Sequence, residues 1–363
     1  MTLPALTQWS TGAVAQRARQ LVELVTTPLL PADYLDMFSP LRAGGDLCGR
    51  IVEVRSESCD AVTLVIRAGR AWRSHRPGQY VRIGVDVDGV RHWRAYSLTS
   101  LATDPDRQIS VTVKAVSGGK VSQHLVHGVT AGTIVMLDQA AGDFTLPRQA
   151  PGKVLFLTAG SGLTPVMGML RNSLQALDDV VLLHSAPTSG DVLFATELRT
   201  LAAQGRLRLV ERHTSKEGRF AVAGIADQVP DWAQRQTWAC GPAGLLDAAE
   251  EHWGAAGVAG RLHVERFRPD VRGAGEGGAV TFSRSGVSVR SDGATPLLTA
   301  GEEAGVLMPS GCRMGICFSC VVPLREGAVR DLRNGETTTA TPDHPVLIQT
   351  CVSASAGTCD IDL

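Results

Sequence analysis

The 363-residue chain carries almost no net charge, with 35 lysines and arginines against 36 acidic residues. Lacking a basic excess, it is not expected to be a general nucleic-acid binder. Long apolar runs are missing as well. No stretch of about eighteen uninterrupted apolar residues occurs, so no transmembrane span is expected. Residues 1–20 lack the basic opening and apolar run of a signal peptide, and the chain is read as cytoplasmic. No Ser/His/Asp constellation stands out, which removes the usual nucleophilic hydrolases. Disorder is excluded by a hydrophobic content of 44% with only 20% charged residues. The length predicts two or three domains.

Eight cysteines are present, and four fall in one pattern. Cys312, Cys317 and Cys320 stand at C-x4-C-x2-C, and Cys351 follows thirty-one residues after Cys320. This is the ligand spacing of a plant-type [2Fe-2S] centre. A loop folded around two irons must turn tightly and aim backbone N–H groups at the sulfurs, and Gly311 and Gly315 supply the freedom. A zinc site or disulfides would be the competing reading, but structural zinc sites usually show a second C-x(2–4)-C pair, which is missing here. Cys48, Cys59, Cys240 and Cys359 lie at wide spacings, which in a reducing compartment reads as free thiols.

Residues 1–45 read as an amino-terminal arm, with a short helix after Pro31 that places Tyr34, Leu35 and Phe38 on one face. From 46 to 148 the period becomes that of strands, at 50–55, 61–67, 80–87 and 109–114. Asp88-Gly89 is a hairpin turn, and the whole reads as an antiparallel sheet or small barrel. Within it, Arg94-Ala95-Tyr96-Ser97 precedes a turn of Gly118, Gly119, Lys120, Val121 and Ser122. A planar isoalloxazine needs an aromatic face and polar donors at its edge, which Tyr96 and Ser97 would offer. Its phosphates need cations and backbone N–H groups, which Arg94 and the glycine turn would offer. Taken singly, the first motif could be a solvated strand edge and the second a plain turn.

Residues 149–268 change pattern again. The apolar run 153–158 leads into Gly160-Ser161-Gly162-Leu163-Thr164-Pro165 and then a helical run, an arrangement suited to cradling a nucleotide phosphate. Pro165 stands where a third glycine would complete the dinucleotide fingerprint, and it suits a first helical turn. Strands expected at 180–184, 207–211 and 236–239 alternate with helices from about 191 and 244. That alternation predicts a doubly wound parallel sheet with ligands at the carboxyl ends of its strands. Cys240-Gly241-Pro242 lies at such an end; Cys240 would face the crevice there or be a core hydrophobe. Ser185, Arg212, Lys216 and Arg219 follow the second and third strands, where a 2′-phosphate would need them. No acidic residue ends the second strand to hold a free 2′-hydroxyl, so NADPH is favoured over NADH.

The glycine-rich stretch 269–278 reads as a flexible linker. Beyond it, 279–363 reads as a small module: strands at 279–283 and 286–290, a helix near 296–304, the cysteine loop and a closing strand at 357–361. A module of this size is expected to lean on its metal centre for stability. Met314 and Phe318, apolar residues inside the cysteine loop, would be exposed for a partner or packed on the module's own core.

These motif sets, in this order, resemble the ferredoxin-NADP reductase superfamily, and more narrowly its single-chain members with a plant-type ferredoxin domain at the carboxyl end. The resemblance covers about residues 46–363. It implies an antiparallel β-barrel flavin domain, an α/β nucleotide domain and a β-grasp ferredoxin domain, with FAD, NADPH and a [2Fe-2S] cluster as cofactors. By the same resemblance Cys240 lies near the nicotinamide, and Glu265 and Phe267 close the reductase module beside the flavin. Residues 29–35 and the loop Cys-Arg-Met-Gly-Ile-Cys resemble actinobacterial electron-transfer partners of stearoyl-CoA 9-desaturases. The implied activity is transfer of electrons from NADPH through FAD and the cluster to a partner iron enzyme, such as a membrane fatty-acyl desaturase. A nicotinamide gives up two electrons at once and the cluster accepts one, so a flavin must stand between them. A reductase for a Rieske or alkane oxygenase, a redox-sensing regulatory module and a purely structural cluster are the alternatives.

Overall fold

The computed structural model describes residues 41, 46–267, 276–311, 313, 315 and 318–363. The expected helix in the amino-terminal arm lies outside these residues, as do most of the expected linker, Cys312, Met314 and Cys317.

The first domain is a six-stranded antiparallel sheet, ordered β4-β3-β6-β1-β2-β5. Its strands are β1 (Cys48–Ser58), β2 (Ala61–Ala68), β3 (Tyr80–Val87), β4 (Val90–Ser97), β5 (Gln108–Lys114) and β6 (Ile134–Leu137), with helix α1 (Lys120–His127) between the last two. Asp88 and Gly89 both take positive φ, 53° and 77°, the geometry whose twist matches a two-residue hairpin. A bridge between Leu98 and Val111 joins the β4 end to the β5 edge, so the sheet closes on itself. Its interior is filled by side chains such as Ile51, Leu64, Ile83 and Val111, all fully buried. Strand β2 is buried on nearly every residue rather than on alternate ones. Ala61 belongs to the second domain's core, which covers part of that strand's outer face.

The second domain is a five-stranded parallel sheet ordered β11-β10-β7-β8-β9. Its strands are β7 (Lys153–Ala159), β8 (Asp179–Ala186), β9 (Arg208–His213), β10 (Gln236–Cys240) and β11 (Leu262–Glu265); its longer helices are α2 (Leu163–Ser173), α3 (Ala195–Ala203) and α4 (Ala243–Ala255). The two-residue period of a strand explains the unbroken apolar run of β7. Val154 and Phe156 join one core with Leu163, Met167 and Leu198, while Leu155 and Leu157 join another with Ile225, Leu246 and Trp253. Helices therefore cover both faces, and the one polar side chain buried in that strand, Thr158, is hydrogen-bonded to His184 Nδ1 at 2.8 Å.

Helix α2 also fastens the first two domains together. A Cβ at Gly168 would lie 2.3 Å from the Leu98 carbonyl oxygen, so only glycine lets the helix approach. Four residues on, the Asn172 amide donates to the Ser100 carbonyl at 2.9 Å and its oxygen accepts from the Ala102 N–H at 2.7 Å. Arg171 donates to the Thr99 carbonyl at 2.7 Å.

The third domain is a mixed sheet ordered β13-β12-β17-β14-β15, with β16 also paired to β14. It comprises β12 (Gly278–Phe282), β13 (Val287–Ser291), helix α5 (Leu297–Glu303), β14 (Val321–Asp331), β15 (Thr337–Ala340), β16 (Val346–Gln349) and β17 (Ser353–Ile361). The central β14 escapes a sequence reading because its alternation is broken. Register shifts flank Gly327, whose φ of 95° and close approach to the Thr358 carbonyl require glycine. Phe282, Leu297, Leu324 and Ile361 form its core together with Cys320 and Cys351.

Candidate active site

The three domains meet at a cavity of about 1460 Å3. Strand β4 carries Arg94, Ala95, Tyr96 and Ser97 to its wall. Burial pushes the Tyr96 hydroxyl up from its ordinary range, which keeps it neutral. The Ser97 hydroxyl is buried with no hydrogen-bond partner among the described residues. Arg94 donates to the Trp93 carbonyl at 2.8 Å and has no ion pair among the described residues. Burial, followed by the neighbouring Arg313 charge, lowers its pKa to about 10. A half-buried guanidinium without a carboxylate and an orphaned buried hydroxyl fit a ligand that brings an anion and polar ring atoms.

Helix α1 begins at the same wall. Gly118 takes a φ of 70°, and Gly119, Lys120, Val121 and Ser122 line the cavity. The Ser122 hydroxyl accepts from the Val116 N–H at 3.0 Å and donates to the Gly119 carbonyl at 3.1 Å, so it closes the turn instead of reaching for a ligand.

The glycine turn of the second domain divides its work between cavity and scaffold. Ser161 and Thr164 face the cavity, and Thr164 Oγ1 donates to the Ser161 carbonyl at 2.9 Å. Leu163 and Pro165 are core residues at the head of α2. Gly160 has a φ of 55°, in the region glycine favours. Gly162 serves a purpose that the phosphate argument does not foresee: a Cβ there would lie 2.0 Å from the Cys240 carbonyl oxygen. Its missing side chain lets two loops touch.

Cys240 does not reach the cavity wall. Its thiol is wholly buried in the core beside α2, because the end of β10 places the residue at the crevice while the strand's alternation turns the side chain inward. Gly241 packs against Ala159, and Pro242 caps α4. Glu265, paired in register with Cys240 from the neighbouring strand, does line the cavity, followed by Phe267. Burial raises the Glu265 carboxyl to about 8, and its Oε2 is enclosed without a hydrogen-bond partner among the described residues. The Cys240 thiol is also pushed well up, by burial first and by Glu265 second. Both groups are therefore neutral near pH 7.

Ser185, Arg212 and Lys216 form a separate place away from this cavity. Ser185 and Arg212 are register partners at the carboxyl ends of β8 and β9, and Lys216 follows on a one-turn helix, Thr214–Glu217. The Ser185 hydroxyl is buried with no partner among the described residues. Arg212 donates to the Gly218 carbonyl at 2.9 Å and the Glu217 carbonyl at 2.5 Å, which fixes its direction. Arg219 comes one residue after Gly218, and among the described residues no hydrogen bond or ion pair joins it to the group.

On the far side of the main cavity stands the cysteine loop. Cys320 and Cys351 are buried, at 1% and 3% exposure, and Cys351 is on the cavity wall. The Thr350 side chain donates to the Cys320 carbonyl at 3.0 Å, holding the two cysteine segments together. Gly315, at φ 74°, has its carbonyl bonded by Arg333 at 3.1 Å and Gln349 at 2.9 Å. Two buried thiols, close to a backbone carbonyl that Arg333 and Gln349 hold in place, fit thiolate ligands to iron. Phe318 is 67% exposed beside them. Sequence reasoning misses Arg313, Thr299 and Leu332, which the third domain adds to the cavity wall.

Three family profiles match the chain in this order: an oxidoreductase FAD-binding domain over 50–146, an oxidoreductase NAD-binding domain over 156–251 and a 2Fe-2S iron-sulfur cluster binding domain over 280–355. Among curated proteins, the chain is 51% identical to an NADPH oxidoreductase of Mycobacterium tuberculosis, covering 95% of this chain and 92% of that one. It is 30% identical to the glycine betaine monooxygenase reductase subunit of Pseudomonas aeruginosa, over 88% and 96% of the two chains. A 3-ketosteroid-9-alpha-monooxygenase ferredoxin reductase component of Mycolicibacterium smegmatis is 31% identical, over 77% and 86%. The solved structure of phthalate dioxygenase reductase shares the fold, with a TM-score of 0.61 at 22% identity over 88% of this chain and 98% of that one.

Proposed function

We propose a reading that proceeds from one fact: this chain belongs to the family of ferredoxin-NADP reductase-type flavoproteins with a fused carboxyl-terminal [2Fe-2S] ferredoxin domain. It is an NAD(P)H-dependent oxidoreductase with FAD and a [2Fe-2S] cluster as cofactors. When bound, the flavin supplies a carrier that takes two electrons from a nicotinamide and releases them one at a time. In this reading Tyr96 and Ser97 hold its ring, while Arg94 and the start of α1 hold its diphosphate. Glu265 and Phe267 shape the nicotinamide side, and Cys240 stiffens the floor behind it. Neutral Glu265 keeps charge away from that region, where a carboxylate would oppose delivery of electrons. Cys312, Cys317, Cys320 and Cys351 hold the irons.

The observation that carries this reading is the position of Cys351, which shares one cavity wall with Tyr96 and Glu265. Electrons have no need to leave the protein between flavin and cluster. Ser185, Arg212 and Lys216 hold the 2′-phosphate, which makes NADPH the favoured donor.

The acceptor in this reading is a partner iron enzyme, with a membrane fatty-acyl desaturase as first candidate on the resemblance of 29–35 and the Cys-Arg-Met-Gly-Ile-Cys loop. None of the described helices is long and apolar enough to cross a membrane, so such a partner would be met from its surface. A cluster of this type, near about −400 mV, is reducing enough for the task. The names of the P. aeruginosa and M. smegmatis relatives favour a second reading, a reductase for a terminal oxygenase. The deciding experiment purifies the chain with the desaturase and oxygenase candidates of its host and measures product formation with NADPH and with NADH. Desaturation sustained by NADPH and poorly by NADH is expected. Product with the oxygenase alone would transfer the assignment to the second reading.

A further inference from the structure

Arg313 belongs to the third domain, yet it lines the flavin cavity together with Arg94 and Lys120 of the first. Its φ of 59° is one that residues other than glycine rarely adopt. Arg313 pairs with Glu302 of α5, while its Nε is buried with no hydrogen-bond partner among the described residues. His92 lies within the field of the same four charged groups. Burial, then Arg94, lowers its pKa, so it is neutral near pH 7 and adds nothing to the balance. Three cations thus face Glu302, and besides the neutral Glu265 the wall carries one more carboxylate, Asp143, so the cations remain in excess by one. Other cations on the wall are already matched, Lys114 by Asp60 at 2.7 Å and Arg266 by Asp247 and Glu250 at 2.7 and 2.8 Å.

A diphosphate diester carries two negative charges and offers oxygens spaced for an arginine fork. We propose that Arg313 is a ligand of the FAD diphosphate, so that the ferredoxin domain helps to hold the cofactor of the flavin domain. The proposal rests on the FAD site described above and adds to it a residue from another domain. Cofactor occupancy and domain docking then reinforce each other: FAD bridges Arg94 and Arg313, and their mutual repulsion is relieved when it binds.

The test measures flavin binding, not turnover. Full-length chain stripped of flavin is titrated with FAD and, separately, with riboflavin, which has the ring but no phosphate, by quenching of flavin fluorescence. In Arg313→Gln, loss of charge-assisted hydrogen bonds should weaken FAD binding by about tenfold or more. Riboflavin binding should be unchanged. Equal FAD affinity in variant and wild type would overturn the proposal, and so would an equal loss for both ligands, which would mean general damage. Should Arg313→Gln not accumulate as folded protein, Arg313→Lys carries the same ratio test, with a smaller expected loss of about threefold because charge is kept and the fork is lost. An unchanged ratio there also overturns it. A wild-type chain that fails to bind FAD would instead remove the FAD site itself.

Discussion

The nucleotide domain and the ferredoxin domain solve the same problem with unequal means. The first buries Phe156, Trp238 and Trp253 in two cores on opposite faces of a parallel sheet, with nothing but protein. The second has one small core, two of whose members are the cysteines Cys320 and Cys351. It also leaves Leu307, Phe318 and Leu347 exposed, at 82%, 67% and 68%. If packing alone suffices for the larger unit while the smaller one leans on what its cysteines hold, as the proposed function requires, the two should respond differently to substitution.

Cys351→Ser should break this comparison most severely. Removing one iron ligand should abolish NADPH-driven reduction of cytochrome c while leaving two-electron dyes as acceptors, and it should unfold the third domain early. A loss of even about 2 kcal/mol moves the midpoint of so small a domain by roughly 10 °C. A calorimetric trace in which the ferredoxin-domain transition does not move would show that the ferredoxin core stands by itself. Next in size, Gly162→Ala attacks the nucleotide domain where its packing is tightest. Its methyl group would press on the Cys240 carbonyl, and a cost of about 3 kcal/mol is expected in denaturant unfolding of that domain. Indifference to the change would mean that the contact is looser than its 2.0 Å suggests.

Glu265 sharpens the comparison through pH. Its carboxyl is raised to about 8 in the folded chain against an ordinary value of 4.5. The native state therefore holds a proton that the unfolded chain gives up, and stability is lost as pH rises from about 4.5 to 8. Glu265→Gln should flatten the pH dependence of the flavin-free protein's stability across that window, by up to about 1.4 kcal/mol per pH unit. Parallel pH profiles for variant and wild type would show that Glu265 titrates normally. Phe318→Ala should have the smallest effect. Dye reduction should stay constant while turnover with the partner enzyme falls about fivefold, the equivalent of ~1 kcal/mol at a contact residue. Equal decline in both assays would assign Phe318 to internal packing.

Much of this architecture is legible in the residues because local pattern and global layer agree. The apolar run of β7 and the Asp88-Gly89 turn each report a constraint that acts within a few residues. Strand-end position likewise brings Arg94, Tyr96, Ser161 and Thr164 to one cavity. What is hidden depends on distance or on face. Position along β10 does not reveal that Cys240 turns into the core, and Gly162 meets its neighbour seventy-eight residues away. Glu265 follows no spacing rule, so only family resemblance singles it out. Arg313 reaches the flavin cavity across a domain boundary, which no single-domain motif can encode.

Asn172 has a consequence for how the chain can be divided. Its carboxamide satisfies backbone groups at Ser100 and Ala102, on a loop that ordinary boundaries assign to a different unit. A cut near 150 would leave a carbonyl and an N–H on one fragment and a hydrophilic helix edge on the other, each bared to solvent beside apolar surface. The flavin and nucleotide halves are therefore better regarded as one indivisible body to which the iron-carrying part is attached, and expression of either half alone should give a poorly soluble product.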